Sequence, residues 1–166
     1  MANTIDIASI EIRLTNWLDE DGVALRALQR KEIVIADYRE EPGLPPSADD
    51  MPVFLVLKLN SIPIACGGLR PLDPDANNKI REAEIKRMFV IPEYRGKRHG
   101  VADLLMKHLE SQALERGWST VKLETGKDME SARKFYERHG YKEIPLFGHY
   151  IGALNNVCYE KVLLSL

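Results

Sequence analysis

A short strand that runs into a proline, crosses a basic glycine loop and continues directly into a long helix constrains this chain more than any other feature. Residues Met88 to Val101 read MFVIPEYRGKRHGV. Pro92 ends the apolar run, because proline has no N–H to give a ladder. From Arg98 to Arg116 the residues Val101, Leu104, Leu105, His108, Leu109, Gln112 and Ala113 recur at helical spacing, and Gly117 closes the segment. The first turn of such a helix leaves backbone N–H groups without partners and carries partial positive charge. A glycine-bearing loop lets those groups close on a phosphate. Arg95, Lys97, Arg98 and His99 place further positive charge there. The spacing is neither a Walker A loop nor a dinucleotide fingerprint. On these local features alone, a phosphate site and a merely solvated basic loop stand level.

The rest of the chain supplies a frame for that loop. Ile5 to Leu14 alternates as a half-buried strand, and Asp19 to Arg39 is helical in pattern through Val23, Leu25, Leu28, Ile33 and Ile35. Four prolines between Glu40 and Pro52 mark a loop. Val53–Leu59 and Ile62–Leu69, separated by Asn60-Ser61, read as a hairpin, and Glu82 to Ile91 as a third meander strand after the turn-rich PLDPDANNK. Val121 to Thr125 alternates, Met129 to His139 is a short helix closed by Gly140, and Tyr141–Ile144 and Val157–Leu164 are the last strands. The predicted order is β-α-β-β-β-α-β-α-β-β, an α/β (α+β) chain.

Bulk properties narrow the function classes. A length of 166 residues predicts one domain over 1–166, large enough to bury a core without metals or disulfides. A net charge of −2 gives no general attraction to nucleic acid or an acidic membrane. Cys66 and Cys158 form no CxxC pair, and no His/Cys cluster has zinc spacing, so no metal is expected. No apolar run reaches the roughly 20 residues of a membrane span. The start, MANTIDIASIEI, lacks a basic stretch followed by an apolar one. A cytoplasmic protein is expected, with the nucleus left open.

IPEYRGKRHGVADLLMKHLE resembles the acyl-CoA signature of the GCN5-related N-acetyltransferases (GNAT), [QR]-x-x-G-x-[GA]. Arg95 takes its first place and Gly100 its last, while Arg98 stands where the family usually has glycine. SARKFYERHGY resembles the family's A-x-x-[FL]-Y-x-x-x-G-[FY] helix through Ala132, Phe135, Tyr136, Gly140 and Tyr141, and VCYEKVL its terminal strand. The resemblance implies the GNAT fold, a mixed and mostly antiparallel twisted sheet of about seven strands flanked by helices. It implies acetyl-CoA as co-substrate, held by Met88, Phe89 and Val90 at the thioester end and by Arg95, Gly96, Lys97, Arg98, His99, Gly100 and Val101 at the pyrophosphate. Met129 replaces a frequent asparagine, which leaves Ser131 as a substitute contact to the pantetheine arm.

Acetyl transfer needs a neutral amine, a stabilised oxyanion and a proton for the departing thiolate. An amine with pKa near 10.4 is neutral in only about one molecule per thousand at pH 7, so a base is useful. The resemblance implies Glu84 as that base, against a plain charge partner for Lys86, Arg87 or Arg81. It implies Tyr136 as the acid, against a core tyrosine. His99 is expected to face phosphate or solvent. Acceptor contacts are expected from Arg39, His149 and Tyr150. The acceptor itself is a small-molecule or amino-acid amine, or else a peptide lysine; a regulatory acyl-CoA-binding module without turnover is the alternative from another class. Pairing of two chains through the apolar strand Val157 to Leu166 is a further expectation by analogy.

Overall fold

The computed structural model describes residues 4–35 and 43–163. Its elements are β1 (Ile10–Thr15), α1 (Glu20–Ile35), β2 (Val53–Leu59), β3 (Ile62–Pro71), β4 (Glu82–Val90), α2 (Val101–Glu115), β5 (Thr120–Gly126), α3 (Glu130–Arg138), β6 (Lys142–Ile144) and β7 (Asn156–Val162). They follow the predicted order. The seven strands form one sheet, ordered β1-β2-β3-β4-β5-β7-β6. Every neighbouring pair is antiparallel except β4 with β5.

Local chemistry sets the boundaries. Asn60 and Ser61 join β2 to β3 with φ of 49° and 66°, the paired positive values that a two-residue hairpin turn needs. β1 begins at Ile10 rather than Ile5, because Ile7–Ser9 turns as a 3-10 helix capped by Asp6. Asp19 caps α1, accepting from the Gly22 N–H at 3.0 Å. α2 begins at Val101, three residues later than the periodicity predicts. The N–H groups of His99 and Gly100 both turn back to Gly96 O, and Gly100 sits at φ +66°. A Cβ on Gly100 would stand 2.6 Å from Ile7 Cδ1, so both conformation and space call for glycine there.

The two faces of the sheet carry separate cores. Val53, Leu55, Leu57, Ile64, Ala83, Ile85, Val121 and Leu123 pack under α2 through Val101, Leu105, Met106, Leu109 and Ala113. Phe54, Val56, Cys66 and Phe89 pack under α1 with Leu25 and Met51. One expectation is corrected here and another is narrowed. Val23 and Leu28 are exposed, not part of a core stripe; the stripe α1 turns to the sheet runs through Gly22, Leu25, Arg26 and Gln29. The edge expected over Val157 to Leu166 is narrowed, since β6 covers β7 at Cys158, Tyr159 and Glu160, and residues 164–166 lie outside the described residues.

Gly68 on β3 faces the α1-side core at close range. A Cβ there would meet Met51 Cε, Phe54 Cδ2 at 2.8 Å and the rigid Val53 O at 2.8 Å. Gly68→Ala is expected to destabilise the protein by about 1–3 kcal/mol through overpacking, read as a lower denaturation midpoint. An unchanged midpoint would mean that this packing relaxes freely.

Candidate active site

The β4–β5 pairing builds the site by stopping early. Only Glu82, Ala83 and Glu84 pair with Thr120, Val121 and Lys122. Beyond that point the strands part and β4 continues beside β3 alone. Opposite Gly67, β4 carries one residue more than β3 at Arg87-Met88, and Arg87 adopts φ +56°. This bulge increases the local twist and re-aims the end of the strand.

The backbone beyond the bulge is held in a defined way. The Ile91 N–H donates to Ile64 O at 2.9 Å, so the adjacent Ala65–Val90 pair turns its backbone groups away from β3. Val90 therefore directs its N–H toward the gap. Its carbonyl accepts from Arg95 Nε at 2.7 Å, and the Met88 carbonyl accepts from Gln29 Nε2 at 3.0 Å. The Arg95 guanidinium is anchored further by Glu32, with Nη1–Oε1 at 3.0 Å and Nη2–Oε2 at 2.8 Å. The first motif residue thus ties β4 to α1.

The loop between β4 and α2 is rich in donors. Among the described residues, the N–H groups of Lys97 and Arg98 meet no backbone acceptor. Leu104 is the first to close onto α2, at Gly100 O, 3.0 Å away, so Val101, Ala102 and Asp103 present the N–H groups that a helix start leaves over. Lys97 and Arg98 are exposed, and space at Gly96 is open for 4 Å around a Cβ position. Arg98 keeps negative φ, so its replacement of the family glycine does not bend the loop. The donors and cations suit a phosphate group. Asp103, an anion in this turn, is covered by His139 Nε2 at 2.7 Å and Arg138 Nη2 at 3.1 Å. His99 departs from expectation: it is buried, and its Nε2 accepts from Arg98 Nε at 2.9 Å.

Four polar side chains meet where β4 and β5 separate. Glu84, 1% exposed, accepts from Arg70 Nε at 2.9 Å and from the Tyr150 hydroxyl at 2.5 Å, with Lys86 Nζ at 3.6 Å. Lys86 Nζ also donates to the Tyr150 oxygen at 2.7 Å. Burial opposes the charge of Arg70, but the Glu84 carboxylate more than offsets it and holds the guanidinium above its usual range. Asp50 supports Arg70 from outside at 3.3 Å. Lys86 was among the partners the sequence offered for Glu84; Arg70 was open to sequence reasoning only through β-register, which puts it opposite Glu84.

Tyr136 lies on the other face. It packs against the α2-side core, with its ring 6.1 Å from Tyr141 and 6.2 Å from Tyr159. Burial, reinforced by the Glu124 carboxylate, pushes its phenol up to about 12, so it stays protonated at neutral pH. Among the described residues its hydroxyl has no hydrogen-bond partner. Ser131 is exposed in the first turn of α3. His149 is exposed and packs against Gly43, whose Cβ position is 2.7 Å from its ring. Arg39 lies outside the described residues. Among the described residues, no group of His, Cys, Asp or Glu could hold a metal ion, and no helix is long and apolar enough to cross a membrane.

The model of the Acetyltransferase (GNAT) family matches residues 13–141. The chain belongs to this family. Among curated proteins, this GNAT chain is 35% identical over 100 residues to the uncharacterized N-acetyltransferase YsnE of Bacillus subtilis, a match covering 59% of this chain and 61% of that protein. Among solved structures, a Klebsiella pneumoniae protein described as a "putative acyl-CoA N-acyltransferase" superposes with a TM-score of 0.75 at 26% identity, over 95% of this chain and 99% of that one. The PaiA N-acetyltransferase of Thermoplasma acidophilum, solved with coenzyme A, gives 0.68 at 20% identity over 93% and 99%.

Proposed function

We propose that residues 1–166 act as one acetyl-CoA-dependent N-acetyltransferase that acylates a primary amine by direct attack while both substrates are bound. One observation carries this reading. Glu84 and Tyr136 lie on opposite faces of the sheet, and β4 and β5 part beside Glu84. A base on one face and an acid on the other serve a reaction that passes through the gap. The coenzyme A bound to the PaiA structure and the family match support the same donor.

The roles follow from the atoms available. The N–H groups at the start of α2, with Lys97 and Arg98, bind the pyrophosphate. The Val90 N–H and its neighbours on β4 support the thioester end and the developing oxyanion. Glu84 receives the proton that the amine loses. Tyr136, protonated at neutral pH, gives its proton to the departing sulfur. A small-molecule or amino-acid amine is the favoured acceptor, with a peptide amine as the other arm of the test.

Free-thiol release from acetyl-CoA, with pooled amines and with peptides, tests the reaction. Amine-dependent release is expected; tight coenzyme A binding without release in any pool would instead support a regulatory binding module. Arg98→Ala is expected to weaken coenzyme A binding by about 3–10-fold, as for one exposed ion contact, and to make it less sensitive to salt. Calorimetric titration at two ionic strengths measures both; unchanged affinity and salt dependence would place Arg98 outside the phosphate site.

A further inference from the structure

Glu84 serves as a base only if a proton can reach it, and its surroundings restrict the route. The residue is 1% exposed. One carboxylate oxygen accepts from Arg70 and the other from Tyr150, so both face protein donors. Met88 lies four residues further along β4, about 13 Å of strand. Lys86 is two residues nearer to Met88 than Glu84 is, and it donates to the same Tyr150 oxygen at 2.7 Å. That oxygen is therefore hydrogen-bonded to Glu84 Oε1 and to Lys86 Nζ at once. A phenol can accept a proton while giving up its own. The segment between β6 and β7 delivers this ring, buried at 2% exposure, over the point where β4 and β5 separate.

We propose that Tyr150 is a catalytic residue that relays the acceptor's proton to Glu84. This rests on the acetyltransferase reading above. In the step, an N–H bond of the ammonium breaks and a new O–H bond forms on Tyr150. The Tyr150 proton passes to Glu84 Oε1, and the freed nitrogen lone pair forms the C–N bond. The attached nitrogen then gives up its second proton to solvent. The thiolate leaves with the C–S electron pair and takes the Tyr136 proton; Glu84 loses its proton to solvent and Tyr136 takes one back from solvent. Of the two protons lost by the ammonium, one is thus balanced on sulfur and one in bulk water. Lys86 and Arg70 keep the charge of the carboxylate compensated before transfer.

The test compares wild type, Tyr150→Phe, Glu84→Gln and the double variant, using an amine that gives thiol release with wild type. Each single change is expected to lower kcat about 100-fold, to leave the acetyl-CoA KM within about twofold, and to flatten the same limb of the pH–rate profile. The double variant is expected to fall no further than the weaker single, within about threefold, as for two groups on one path. Wild-type kcat and limb in Tyr150→Phe would overturn the relay. So would losses that multiply in the double variant, or a lowered melting temperature with an intact limb, which is the mark of a purely structural tyrosine. Absence of thiol release by wild type with every amine and peptide overturns the acetyltransferase reading itself, and is seen before any variant is compared.

Discussion

Tyr136→Phe is expected to lower turnover about 100-fold, the low end of what a positioned proton donor contributes, while coenzyme A affinity changes less than about twofold. The ring stays, so its packing against Tyr141 and Tyr159 is kept and the loss isolates the hydroxyl. Burial with the Glu124 carboxylate nearby raises this phenol to about 12. It therefore remains a donor through neutral pH, and wild-type activity should not fall through Tyr136 ionisation until strongly alkaline pH. Steady-state kinetics with calorimetric binding decide the matter. Equal turnover in the variant would remove Tyr136 as the acid and return it to the core.

Glu84→Leu should produce the largest loss of stability. It removes the carboxylate from between Arg70 and Lys86, whose side chains are 15% and 3% exposed. Deleting one partner of such a buried set costs about 3–5 kcal/mol, because both cations lose the carboxylate they face. For a chain of this size that lowers the melting temperature by about 6–20 °C. Glu84→Gln keeps the shape and part of the hydrogen bonding, and should cost much less stability while still removing the proposed base. A melting temperature for Glu84→Leu within about 2 °C of wild type would show that other groups, Asp50 among them, already compensate these cations.

The strands and the α2 helix were legible because their apolar positions repeat at the period of the element that buries them. The hairpin at Asn60-Ser61 and the loop before α2 were legible because their backbone needs special residues. α1 was not. Its sheet-facing stripe holds Gly22, Arg26 and Gln29 beside a single leucine, Leu25, while Val23 and Leu28 point to solvent. A hydrophobic period cannot find a face whose residues are there to donate hydrogen bonds rather than to pack. His99 misled for a related reason: a histidine in a basic loop reads as a cation, yet Arg98 uses its ring as an acceptor. Tyr150 carried no local signal, since its meaning comes from Glu84 and Lys86, more than sixty residues earlier.

The parting of β4 from β5 also bears on solubility. A strand with one side unpaired is a template onto which another chain can add itself. This protein keeps such an edge inside its own sheet. Two carbonyls along it, at Met88 and Val90, are already occupied by Gln29 and Arg95. An incoming strand needs acceptors and donors in alternation, and here it would find those two acceptors taken. The same side chains that leave the edge suited to a carbonyl or an oxyanion therefore guard it against self-association, and removing both would be expected to show first as aggregation.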